Sequence, residues 1–245
     1  MNPFPHIPNK QITHLLIGER YYLLLKDSLK KRNITAITLP GHPYLDIPVQ
    51  YHADMLLQHI GMNIWVAEPS FFPIVQQKLQ PLGQIVLCGN TTLQRNYPLD
   101  IAYNGLRIGN SFFHLLNHTD KIILQELKRQ SVKQYSVKQG YSKCSVVVIH
   151  STAAITSDLG MAKAMRKAMI DVLTIQPGHI QLPGYHTGLI GGCCFLTAPN
   201  RLAVTGILNH HPDYQNILNF LNKYHITLDI LTEYPVFDIG SAFIL

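Results

Sequence analysis

Charge is scarce in this chain of 245 residues, with only 14% Asp, Glu, Lys or Arg against 47% apolar residues. That leaves ample material for one large core. Cysteine is scarce too. Four in a chain of this length, two of them adjacent at Cys193 and Cys194, make no disulfide framework, and their spacing matches no common zinc pattern. Both absences point to a reducing, cytoplasmic setting. No apolar run reaches the roughly 18 residues that a membrane span requires. Residues 1–8 hold neither a basic region nor a continuous apolar stretch, so a signal peptide is not expected there. There is no low-complexity segment and no obvious linker. The stretch Leu39-Pro40-Gly41-His42-Pro43 reads as a surface connection.

Negative charge is outweighed, and the net charge of +6 raises the question of nucleic acid. The basic residues fall as Lys26, Lys30, Lys31 and Arg32, then Lys128 and Arg129, then Lys163, Arg166 and Lys167. These are solvent faces of helices, mostly near C-terminal ends where cations suit the helix dipole. No aromatic residues interleave with them as stacking platforms, so a nucleic-acid or ribosome partner is not favoured.

What the chain does have is a weak internal rhythm. A polar or glycine punctuation recurs at Asp54, Asp100, Cys144, Gly192 and Gly240, 44 to 48 residues apart. Each is read as the start of a first strand, followed by a second apolar strand, an amphipathic helix and a third strand. Third strands are expected near Asn33, Gln84, Ser131, Asp171 and Ile226. Ser70 before Phe71-Phe72-Pro73 reads as a helix start, and Asp158 as a helix cap. Ile122, Ile123 and Leu127, and then Met161, Met165 and Met169, mark buried helix faces. Units of this length stack on their neighbours to bury their apolar faces. The chain begins and ends on half-units, with a strand expected over residues 236–245. The expectation is therefore a single α/β domain over residues 1–245, a five-bladed pseudo-symmetric α/β propeller of ββαβ repeats whose terminal segments share one blade.

In such a ring the first strands point at the axis, so functional side chains converge from distant positions. The candidates are His52 and Asp54, Asp100 and Asn104, Tyr141, Lys143 and Cys144, Gly191 to Cys194, and Asp238 and Ser241. Polar groups on buried strands must be paired or do chemistry. Cys88, Cys193 and Cys194 read as packing residues. The remaining histidines, including His210 and His211, show no ligand spacing, and neither a metal nor an organic cofactor is expected.

The repeat together with Tyr51-His52-Ala53-Asp54-Met55 resembles the pentein, or guanidino-group-modifying enzyme, superfamily. Residues 138–145 and 188–192 are similar to a bacterial branch of that fold without an assigned function. The resemblance implies a thiolate nucleophile attacking a guanidinium carbon, carboxylates gripping the planar cation, and a histidine moving protons. The family nucleophile sits in the last unit, where this chain reads Phe237-Asp238-Ile239-Gly240-Ser241 without a cysteine. Cys144 lies two units after His52, the separation that the family shows. The resemblance thus implies a hydrolase or amidinotransferase for a small cationic guanidine or amidine. Cys144 and His52 would be catalytic, and Asp54, Asp100, Asn104 and Tyr141 would bind substrate. The alternative is a non-catalytic ring that binds a ligand or, like the ribosome anti-association factor, a larger partner. The sequence leaves open the exact substrate, hydrolysis against transfer, and the oligomeric state.

Overall fold

The β-branched runs and the three-and-four apolar spacing resolve into five three-stranded sheets, each backed by one helix. The structure, a computed structural model, describes residues 3–245. The first blade opens with β1 (His14–Gly18), α1 (Glu19–Lys31) and β2 (Thr35–Leu39). The second follows a single helical turn, α2 (Ala53–Leu56), with β3 (Leu57–Gly61), β4 (Ile64–Ala67), α3 (Phe72–Leu79) and β5 (Ile85–Cys88). The third holds β6 (Leu106–Ile108), β7 (Ser111–His114), α4 (Lys121–Arg129) and β8 (Lys133–Ser136). The fourth holds β9 (Val146–His150), β10 (Ala153–Thr156), α5 (Leu159–Lys167) and β11 (Asp171–Thr174). In the fifth, the turn α6 (Ile190–Cys193) precedes β12 (Cys194–Ala198), β13 (Arg201–Val204), α7 (Tyr214–Lys223) and β14 (Thr227–Ile230). The last strand, β15 (Phe243–Ile244), returns to pair antiparallel with β1.

Every sheet repeats one plan. The inner strand runs antiparallel to the middle one, and the outer strand, delivered by the helix, runs parallel to the middle one. Burial falls from the axis outward: β3 and β12 are buried throughout, whereas β8 and β14 are half exposed. The helices bury residues four apart, such as Ile123 and Leu127, Met161 and Met165, and Ile217 and Leu221. Each such side chain contributes about 2 kcal/mol. Asp120 and Asp158 cap their helices, accepting from the Ile122 and Met161 amides at 2.9 and 2.8 Å.

The structure departs from the sequence expectation at several points. The punctuating residues do not begin strands. They lie on or beside single tight turns, and the inner strands start a few residues later, at Leu57, Leu106, Val146, Cys194 and Phe243. Local bonds, such as Met55 N–H to His52 O at 3.2 Å and Asn104 N–H to Ile101 O at 2.8 Å, satisfy the backbone where the chain reaches the axis. The strand expected over 236–245 shortens to two residues for a related reason, since Asp238, Ile239 and Ser241 give their amides to Gln181 and Gly192 rather than to a strand ladder. Helix α3 starts one residue after Phe71, and Glu68 rather than Ser70 accepts the Phe71 amide, at 3.1 Å. Met169 lies past the end of α5, left-handed at φ 62° and 86% exposed. Arg32 leaves the solvent face to grip Asp229 of β14 with two bonds of 2.8 and 2.5 Å. Among the described residues no helix is long and apolar enough to cross a membrane.

Candidate active site

The five turns lock together around the axis. Asn104 Nδ2 donates to the Asp54 carbonyl at 3.2 Å, and the Lys143 amide donates to the Asn104 carbonyl at 3.1 Å. Further round, the Ser241 amide donates to Gly192 O at 3.2 Å, and the Asp54 amide returns to Gly240 O at 3.2 Å. Glycines permit the closest approaches. A Cβ on Gly191 would fall within 2.6 Å of the carbonyl oxygens of Lys143, Cys144 and Val146, and one on Gly192 would fall 1.9 Å from Asp238 Oδ1. Gly240, at φ 68°, would meet the His52 Cβ at 2.1 Å. The Gly191-Gly192 pair is thus explained by packing, consistent with Cys193 and Cys194 being sealed in an apolar cluster. Cys88, expected inside, is instead exposed at the end of β5.

This arrangement brings together His52, Asp54, Asn104 and Cys144. One nitrogen of His52, one carboxylate oxygen of Asp54 and the Cys144 sulfur lie within 4.8 Å of one another, all in buried residues. Cys144 Sγ donates to Asp54 Oδ2 at 2.8 Å and accepts from Asn104 Nδ2 at 3.3 Å. Asn104 Oδ1 in turn accepts the amides of Lys143 and Cys144, at 3.0 and 3.3 Å. His52 Nε2 shares a hydrogen bond of 3.1 Å with the Tyr21 hydroxyl on α1. Asp100 stands apart, its Oδ2 accepting the Tyr141 hydroxyl at 2.6 Å.

Burial governs the charges. It pushes the Cys144 thiol well up, and the Asp54 and Asp238 carboxylates push it the same way. It also raises Asp54, against the opposing pull of His52 and of the thiol's hydrogen bond. Lys143 is drawn down by burial, with its Nζ donating to Ser241 Oγ at 3.1 Å. The resting site is therefore a protonated thiol leaning on a carboxylate. The His52, Asp54 and Cys144 atoms are of types that hold divalent metals. Their sulfur–oxygen separation of 2.8 Å is nevertheless tighter than the roughly 3.5 Å that two such ligands keep around a tetrahedral zinc.

His52, Cys144, Tyr141, Met55 and Asp238 line a cavity of about 210 Å³, closed in part by Leu182, Tyr185 and Thr187 from the loop before α6. Asp54 and Asn104 sit behind Cys144 rather than on the cavity wall, and Asp100 reaches it only through Tyr141. The loop residues and Tyr21 lie off the inner strands, where the repeat carries no signal. Leu182-Pro183-Gly184-Tyr185 was the available signal, a turn-rich stretch carrying large apolar side chains. Asp238 holds its place by accepting the Leu189 and Gly240 amides, each at 2.8 Å.

Five ββαβ blades whose turns converge on buried polar groups define the pentein α/β-propeller class. Solved structures of that superfamily share the fold across nearly the whole chain. DDAH from Pseudomonas aeruginosa, a cysteine-to-serine mutant complexed with citrulline, aligns with a TM-score of 0.58 at 8% identity, covering 96% of this chain and 100% of that one. The inosamine-phosphate amidinotransferase of Streptomyces griseus aligns at 0.56 and 11% identity, covering 99% and 96%. The agmatine deiminase of C. jejuni aligns at 0.51 and 8%, covering 94% and 91%. No curated protein sequence matches the chain. Residues 16–243 match the model of a family of unknown function, DUF6873, and the chain belongs to that family.

Proposed function

We propose that the chain acts on the carbon of a small guanidinium or amidinium compound, as a hydrolase or an amidinotransferase, with Cys144 as nucleophile. The observation that carries this reading is the meeting of the Cys144 sulfur with His52 and Asp54 at the wall of a small cavity. A cation entering beside the thiol offsets the charge that holds the proton on sulfur, and Asp54 Oδ2 is placed to receive that proton. The thiolate then bonds to the guanidinium carbon. Collapse breaks a carbon–nitrogen bond, with His52 protonating the departing ammonia or amine, and leaves an amidino group on sulfur. Attack by water, its proton taken by His52, or by an acceptor amine breaks the carbon–sulfur bond and restores the thiol. Asp238 supplies a carboxylate at the cavity wall for the cation, while Asp54 acts from behind the sulfur.

The test is incubation with guanidine and amidine compounds, following ammonia or amine release and the mass of the Cys144 peptide. Turnover with a transient adduct on Cys144, both lost in Cys144→Ser, is expected. Turnover that survives Cys144→Ser rejects the assignment. One observation favours a second reading, a non-catalytic ring that holds a small cation: the free thiol is buried and kept protonated. In that case the same compounds bind but come back unchanged.

A further inference from the structure

The walls of the Cys144 cavity speak to the rest of the ligand. Val49, Met55, Leu182 and Leu189 are aliphatic, and Tyr141 and Tyr185 add rings. The polar residues on the wall are His52 and Cys144, whose nitrogen and sulfur lie within 4.8 Å of each other, together with Asp238, Thr187 and the two tyrosines. Among the described residues no lysine or arginine lines the cavity. Lys143, although next to Cys144 in sequence, gives its ammonium to Ser241 Oγ. The volume of about 210 Å³ is below the roughly 300–1,000 Å³ usual for small-molecule sites.

We infer that the ligand is a guanidinium or amidinium carried on a short, uncharged, apolar group, such as an alkyl- or arylguanidine, and not a guanidino amino acid. The inference rests on the reading of Cys144 as the centre of a guanidine-binding site. An α-carboxylate bound here would lose its water without gaining a counter-charge, and Asp238 would repel it. Other cations stand off these walls: Arg95 is paired with Asp46, which accepts the Tyr185 hydroxyl. Arg20 lines a neighbouring cavity of about 280 Å³ that shares Leu182 and Asp238 with this one. Lys138, Lys163 and Lys167 line a cleft on the far side of Tyr141. None of these cations lines the Cys144 cavity.

The test compares propylguanidine and phenylguanidine with L-arginine and guanidinoacetate, by calorimetric titration of the whole protein and by turnover. The uncharged-tail compounds should bind tighter by about tenfold or more, and Arg20→Ala and Lys163→Ala should leave every affinity unchanged. Leu182→Arg should narrow or reverse the preference by giving a carboxylate its partner. Tyr185→Lys provides the same reversal should the first variant fold poorly. Equal or tighter binding of arginine, or a tenfold loss of arginine binding in Arg20→Ala or Lys163→Ala, overturns the inference, as does no binding of any probe. If alkylguanidines bind in the expected order without turnover or an adduct, the ligand class stands and the proposed catalysis falls. If arginine is the better substrate and turns over through Cys144, catalysis stands and the ligand class falls.

Discussion

The Cys144 sulfur stands 2.8 Å from Asp54 Oδ2, and the carboxylate's charge adds to burial in holding the thiol protonated. Removing that charge works in the opposite direction. In Asp54→Asn the midpoint of the alkylation-rate profile of Cys144 should move to lower pH, so the free thiol reacts faster near neutrality. Turnover should nevertheless fall by about a hundredfold or more, because the proton acceptor is gone. Iodoacetamide rates read peptide by peptide, with exposed Cys88 as the internal reference, check the first half. An unchanged profile means that Asp54 does not govern the thiol.

Asn104 is the clasp between the second, third and fourth turns. Its side chain donates to Asp54 O and Cys144 Sγ and accepts from two amides, and the residue is fully buried. Truncation to alanine strands the Cys144 amide without an acceptor and leaves the Lys143 amide only the main-chain carbonyl of residue 104. Asn104→Ala should cost about 2–4 kcal/mol, read from the urea midpoint at constant slope. A loss below about 0.5 kcal/mol, the level of an ordinary surface change, contradicts the clasp.

The repeat was legible because a buried strand and a covering helix each impose a period on the sequence, and five copies reinforce one another. Its phase was less so. Asp54, Cys144 and Gly192 look like strand residues by their apolar neighbours, and only three-dimensional crowding at the axis folds them into tight turns. His52, Asp54, Asn104 and Cys144 group together in the sequence because each belongs to the segment of its unit that leads to the axis. Which of them faces the cavity depends on how five turns interleave, and so Asp54 behind the sulfur and Asp238 on the wall were not separable in sequence. Leu182 and Tyr185 come from a loop, where no period constrains the reading. Met169 continued the four-residue spacing of Met161 and Met165 and yet ends up in solvent, because the chain turns left-handed there.

His114 gives an acid-side signature. Its Nε2 donates to Gly140 O at 2.8 Å and its Nδ1 pairs with the Thr119 hydroxyl at 2.7 Å. Burial lowers its pKa to about 4. The native state therefore stays unprotonated at pH values where the unfolded chain, with a pKa near 6.5, takes up a proton. Stability should rise with pH across the window from about 4 to 6.5, by up to about 3 kcal/mol for this residue alone. Buried His59, lowered to about 3, adds to the same slope. Denaturant titrations at several pH values should show His114→Gln less stable near pH 7 and with a shallower dependence below it. An equal slope in the variant means that His114 is not the proton-linked group.

All five helix-to-strand junctions pass through one left-handed residue: Asn33, Gly83, Ser131, Met169 and His225. Four of them carry side chains, and in that region a Cβ costs roughly 1–2 kcal/mol. Met169 offers the cleanest test, since its side chain is 86% exposed and little packing is lost with it. Met169→Gly removes the backbone penalty while loosening the unfolded chain, which returns part of the gain. The net expectation is a stabilisation of about 0.5 kcal/mol, in contrast to Lys163→Gly inside α5, which should cost about 1 kcal/mol. Opposite signs for two glycines six residues apart would tie the effect to φ rather than to composition. Destabilisation by both would mean that the junction gains from the methionine in a way its exposure does not reveal.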